Sequence, residues 1–109
     1  MNIQETTKNN VLIAKFIGLR MGRQSLLTFI IEDGQEVLPK DLKYHESWEW
    51  LMPVVDKTES FGNKVSVSEA YCDITSSKGD QLCDIGGGDY TKLSATYEAV
   101  VLFVKSNNH

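Results

Sequence analysis

Histidine and cysteine are scarce in this chain, at two each among 109 residues. That scarcity removes most metal and proton-transfer chemistry. A structural zinc site draws about four ligands at characteristic spacing. Cys72 and Cys83 have no second pair and no flanking histidine. No metal site and no cofactor is expected. A membrane span needs roughly 18 consecutive apolar residues, and no run approaches that length. Residues 2–10 are polar, unlike a secretory signal. These readings place the chain in a reducing cytoplasm. They predict buried free thiols at Cys72 and Cys83, with a hairpin-closing disulfide as the alternative if their strands pair.

What is present fits one globular domain, residues 1–109, with residues 1–8 frayed. The apolar share of 41% is ordinary for a folded protein. Net charge is −4, and its distribution says more than its sum. Between Thr7 and Ile31 stand Lys8, Lys15, Arg20 and Arg23 with no acid. From Glu32 to Tyr90 thirteen acids face five lysines. The reading is either solvated charge or a two-faced surface, basic for an anion and acidic for a basic partner.

Asn9 or Asn10 suits the cap of a short helix through Val11-Leu12-Ile13-Ala14-Lys15-Phe16-Ile17, ended by Gly18. Its β-branched content leaves a strand reading open. Residues 19–24 read as a basic loop, and residues 25–31 as a buried strand. Asp33-Gly34 is a strong turn pair, after which residues 36–38 return as a short strand ended by Pro39. Residues 64–75 look extended, with the apolar phase flipping at Ser68-Glu69. That flip implies a bulge or a strand covered on both faces. Residues 76–80 form a turn, residues 81–85 a strand, and Gly86-Gly87-Gly88 breaks it. Asp89 or Thr91 caps a last helix whose stripe is Leu93, Tyr97, Val100 and Val104, widened by Ala95, Ala99 and Leu102.

Both tryptophans lie in Tyr44-His45-Glu46-Ser47-Trp48-Glu49-Trp50-Leu51-Met52-Pro53-Val54-Val55. Ser47 is a natural N-cap. Trp48, Leu51, Met52 and Val55 line one helical face, while Trp50 and Val54 line another. A helix apolar on more than one side is enclosed, so Trp48, Trp50, Leu51 and Val55 are expected in the core. Pro53 predicts a kink, or a short turn before a helix starting near Met52. Gly62 stops it.

Few residues suggest chemistry. The glycine triplet joins strand to helix, but Asp89-Tyr90 follows where a phosphate loop needs Gly-Lys-Ser/Thr. His45 reads as a hydrogen-bonded structural histidine, and Ser47 as a cap. Glu46 and Glu49 read as first-turn acids that favour the helix dipole. Trp48 and Trp50 are either core or an interface anchor. Lys15, Arg20 and Arg23 are the candidate partner-binding or nucleic-acid-binding residues.

Tyr44 to Lys57 resembles the "H-x-S-W-D-W-L-M-P-V-V-E-K" core of short uncharacterised proteins of phages and mobile elements. The segment from Lys92 to Lys105 is similar to that group's last helix, and Asn10 to Gly18 to its "N-x-L-I-A-x-F-I-G" block. The chain departs at Ser106-Asn107-Asn108, where the group carries "W-Y-N". The resemblance implies an α+β fold: a small antiparallel sheet packed by a central tryptophan-bearing helix and a C-terminal helix. It also implies a phage or mobile-element setting, and so a bacterial host cytoplasm, but no agreed activity; with the small size and the lack of an active site, the expectation is a non-enzymatic protein that binds a host protein. An inhibitor of an RNA-guided (CRISPR) defence nuclease, or of its guide-RNA complex, is the most concrete form. The alternative is a nucleic-acid-associated accessory protein using the basic N-terminal residues.

Overall fold

The chain's first helix, α1, spans Ile3–Phe16 in a computed structural model that describes residues 3–21, 28–31 and 34–107. The helix starts earlier than expected. Residues 3–8 are its first turns rather than a frayed end, and Asn9 and Asn10 lie inside it, buried, rather than at its cap. The reason is tertiary: the side chain of Asn10 is held by groups far along the chain, so no free helix end is needed to satisfy it. The other terminus follows the sequence. Gly18 has φ +81°, its N–H reaches Lys15 O at 3.1 Å, and Leu19 N–H reaches Ala14 O at 3.0 Å. This paired geometry closes the helix around a left-handed glycine.

Arg20–Met21 is not loop but a short strand, β1, antiparallel to β2 (Phe29–Ile30). The latter is the described part of the strand expected over residues 25–31; residues 25–27 lie outside the described residues. A turn at Gly34 (φ +88°) brings β3 (Glu36–Val37) back against β2. Pro39 ends it by opening a single 3-10 turn, Pro39–Asp41.

The tryptophan helix, α2, spans Trp48–Ser60. Ser47 holds the N-cap position with extended φ −140°, but its side chain makes no capping bond. The helix is neither split nor restarted at Pro53. Pro53 and Glu49 are both exposed, so the carbonyl deprived of its amide partner lies on the solvent side, where water can serve it. Gly62 (φ +90°) stops the helix, its N–H on Glu59 O at 2.9 Å.

The expected enclosure of α2 fails. Its buried face is Leu51, Val54, Val55 and Thr58. Trp48 is 37% exposed and Met52 44%, so Trp48 is not core. Trp50 is partly buried, packed against the core from its edge. The helix covers one side of the domain, and its apolar residues are more numerous than that one contact can bury.

Three further strands form a second antiparallel sheet: β4 (Lys64–Ser68), β5 (Tyr71–Thr75) and β6 (Gln81–Gly86). The apolar phase flip at Ser68-Glu69 is a two-residue hairpin turn, not a bulge or a doubly covered strand. Ser68 pairs with Tyr71, and Glu69 takes φ +29°. An irregularity does occur between β5 and β6, beside Ile74 and Thr75. The expected turn at residues 76–80 is present, with Ser76 N–H on Asp80 O at 2.8 Å.

Gly86 pairs with Tyr71, and a Cβ there would fall inside the Tyr71 ring. Gly86→Ala must therefore expel the ring. We expect a loss of about 2 kcal/mol, the usual cost of an overfilled site. Urea unfolding checks it, and in a Tyr71→Ala background the same substitution should cost much less.

The last helix, α3, spans Lys92–Asn107. Thr91 is its cap: Thr91 Oγ1 accepts from Ser94 N–H at 3.1 Å, and Ser94 Oγ accepts from Thr91 N–H at 2.8 Å. Of the predicted stripe, Tyr97, Val100 and Val104 are buried and Leu93 is partly buried against them. Leu102, expected to widen the stripe, is 42% exposed. Tyr97, Val100, Val101 and Val104 pack with Ile13, Phe29, Tyr44, Leu51 and Val54. Ala95, Ala99 and Phe103 pack with Cys72, Ile74 and Cys83 of the second sheet. Thus α3, rather than the tryptophan helix, is the central element of this α+β fold. Phe16 joins the two clusters, its ring 6.0 Å from Phe103 and edge-on to it.

Candidate functional site

Two neighbouring features of α2 stand out. The first is an open pocket of about 320 Å³. Ile17 and Leu19 line it from the turn after α1, and Ile31 from the end of β2. Tyr44 lines it from the loop before α2, and Glu49, Trp50 and Pro53 from the first two turns of α2. Gly18 permits the turn that sets Ile17 and Leu19 side by side. Tyr44 is buried and meets Trp50 edge-on, ring centroids 5.3 Å apart at 84°. The pair makes an aromatic wall, an arrangement favoured by the ring quadrupoles. Glu49 supplies the one charged group among the described residues that line it.

The second feature lies on the other flank of α2. Trp48 and Met52, four positions apart, share one exposed helical face. Between the flanks lie the exposed acids Glu49 and Asp56. The solvent arc of α2 therefore presents aromatic and thioether surface on both sides of a negative strip.

A buried polar network fixes the loop that feeds this arc. Asn10 Nδ2 donates to Leu42 O at 3.1 Å and approaches His45 Nδ1 at 3.0 Å. Tyr97 O–H donates to Asn10 Oδ1 at 2.9 Å. A backbone carbonyl only accepts, so the amide nitrogen of Asn10 must face Leu42. Its second N–H then donates to His45 Nδ1, which leaves the imidazole proton on Nε2, 3.7 Å from Glu46 Oε2. His45 is thus the hydrogen-bonded histidine the sequence suggested. Glu46 and Glu49 are both exposed.

The basic candidates are only partly placed. Lys15 is exposed in the last turn of α1, Arg20 stands in β1 opposite Ile30, and Arg23 lies outside the described residues. Cys72 and Cys83 are free and buried on paired strands, but out of register for each other: Cys72 faces Ile85 and Cys83 faces Ile74. Among the described residues no group of three or more His, Cys, Asp or Glu is placed to hold a metal. No helix of the described residues is long and apolar enough to cross a membrane.

Burial pushes the Cys72 thiol up to about 11 and raises Cys83 as well. Burial also lifts the Tyr44 and Tyr97 phenols above their ordinary 10.0. All four groups are neutral acids held protonated by the fold. The unfolded chain releases these protons first, so their contribution to stability is complete below the unfolded values and declines as pH rises beyond them. We expect the urea midpoint to fall from about pH 9 upward, beginning near the ordinary thiol value. At pH 8 neither cysteine should react with N-ethylmaleimide until urea unfolds the chain; rapid native labelling would contradict the burial described.

No family model matches the chain. No curated protein and no solved structure matches it either.

Two features of this region are not legible in the sequence. The network was invisible because its members are 35 and 87 positions apart. Consecutive asparagines before an apolar run were the only hint. The pocket was missed because its walls come from four separate segments.

Proposed function

We propose that this chain is a non-enzymatic phage or mobile-element protein that binds a host protein and alters its activity. In its most concrete form it inhibits an RNA-guided (CRISPR) defence nuclease. The observation that supports binding is the solvent arc of α2. There Trp48 and Met52 stay 37% and 44% exposed beside an open pocket walled by Trp50 and Tyr44. Tryptophan and tyrosine are the residue types most enriched among interface anchors. The phage setting rests on the resemblance of Tyr44 to Lys57 and of the last helix, and the defence nuclease rests on that setting.

The test is capture of partners from host lysate by the tagged chain, with and without nuclease treatment. It is paired with a plaquing assay on cells carrying an RNA-guided defence. We expect one host protein enriched equally in both arms, and restored plaquing when the chain is expressed. Capture that depends on nucleic acid and collapses for Arg20→Ala with Arg23→Ala would overturn this reading in favour of a nucleic-acid accessory protein. Unchanged plaquing would remove the defence nuclease as target.

A further inference from the structure

The second sheet has one face on α3 and one face that no described element covers. On the inner face Cys72, Ile74 and Cys83 pack against Ala95, Ala99 and Phe103. Strand alternation puts Tyr71, Asp73 and Thr75 of β5 on the outer face, with Asp84 and Gly86 of β6 beside them. Register aligns Tyr71 with Gly86 and Asp73 with Asp84. Tyr71 is 54% exposed, and Leu82, one position from buried Cys83, is 47% exposed.

One part of this face is costly to the isolated protein. Like charges directly opposite on adjacent strands repel, and Asp73 and Asp84 are such a pair. Thr75 Oγ1 donates to Asp73 Oδ1 at 3.3 Å, but among the described residues neither carboxylate has a cationic partner. Lys64, opposite Thr75 and diagonal to Asp73 on the same face, makes no ion pair with it. Beside this pair the Tyr71 ring lies over Gly86 and stays 54% exposed.

We propose that this face docks a basic segment of a protein partner, with an arginine side chain seated between Asp73 and Asp84 and against the Tyr71 ring. A guanidinium presents five donors in one plane, enough to span two carboxylates, and that plane stacks on an aromatic face. Lysine offers a single charged point and no plane. Leu82 extends the apolar surface at the other end of the face for a neighbouring residue of the same segment. With Glu69 and Asp80 in the turns at the ends of the strands, the sheet carries four acids against Lys64 and Lys78, an excess that favours approach of a basic surface. This inference rests on the reading of the chain as a protein-binding protein and names the chemistry of what it binds.

The test uses the whole ¹⁵N-labelled chain and three acetylated, amidated tripeptides: Arg-Leu-Arg, Lys-Leu-Lys and Glu-Leu-Glu. The expected result is amide shift changes confined to β5 and β6 with the arginine peptide, weaker with lysine and none with glutamate. Asp73→Asn with Asp84→Asn should weaken the arginine peptide's Kd about tenfold, as loss of a charge-assisted pair does. The same double variant, free of peptide, should melt at a higher temperature than the parent, because the repulsion is gone. Shifts centred on α2, equal response to all three peptides, or a double variant that melts lower would each overturn the proposal. Confined shifts combined with no host protein captured from lysate would uphold this surface while removing the host-protein reading.

Discussion

Asn10→Ala should remove about 3 kcal/mol of stability, since it strips the partner from buried groups that water cannot reach. The side chain is 1% exposed and joins three segments: α1, the loop at Leu42 to His45, and α3. Its loss leaves the Leu42 carbonyl and the Tyr97 hydroxyl without their main partner. Tyr97 keeps a 3.5 Å approach to Thr6 O and its side-chain contact with Asn9. His45 suffers least, because its side chain is 34% exposed and can turn to water. The expected order of loss is therefore Asn10→Ala, then Tyr97→Phe, then His45→Ala. Tyr97→Phe should cost about 1 kcal/mol, the net value of one hydrogen bond. The double variant Asn10→Ala with Tyr97→Phe should lose less than the two single losses added. Urea midpoints of the four proteins decide the matter. Against a whole-domain stability of about 5–15 kcal/mol, the first substitution alone is a large fraction. Strict additivity would mean that the two side chains do not act together.

The network also shows what the sequence could not carry. Local rules worked where a single residue determines local backbone geometry: Gly18 and Gly62 end helices, Gly34 turns a hairpin, Pro39 ends a strand and Thr91 starts α3. Periodicity located the buried Leu51, Val55, Tyr97, Val100 and Val104. It failed for Trp48 and Leu102, because periodicity marks which residues share a face but not how much cover that face receives. The hairpin at Glu69 was misread for a related reason. Two strands joined by a two-residue turn look, in one dimension, like one strand with a slip of phase. Asn10 is a plausible cap by composition, and only the distant Leu42, His45 and Tyr97 make it an interior residue. The pocket is assembled from four segments, so no local pattern announces it.

Leu51→Ala and Trp48→Ala should have opposite signatures although the residues are one helical turn apart. Leu51 is 0% exposed and sits among Ile13, Tyr44, Val54 and Val100. Its truncation removes buried methyl groups and leaves a cavity, at about 3 kcal/mol. Trp48 is 37% exposed at the margin of the same helix, so its truncation leaves no closed cavity and should cost less, about 1 kcal/mol of stability. Binding should reverse the order. An anchor tryptophan removed from an interface typically costs about 2 kcal/mol or more, roughly a thirtyfold loss of affinity. Leu51→Ala, assayed well below its melting temperature, should bind within a few-fold of the parent.

The binding face on α2 is tested most directly by partner capture with Trp48→Ala beside the parent chain, with the urea midpoint taken on the same samples. The expected result is a midpoint that falls far less than for Leu51→Ala, with a roughly thirtyfold drop in capture. Full capture by a folded Trp48→Ala protein would contradict it, and would move the binding face off α2.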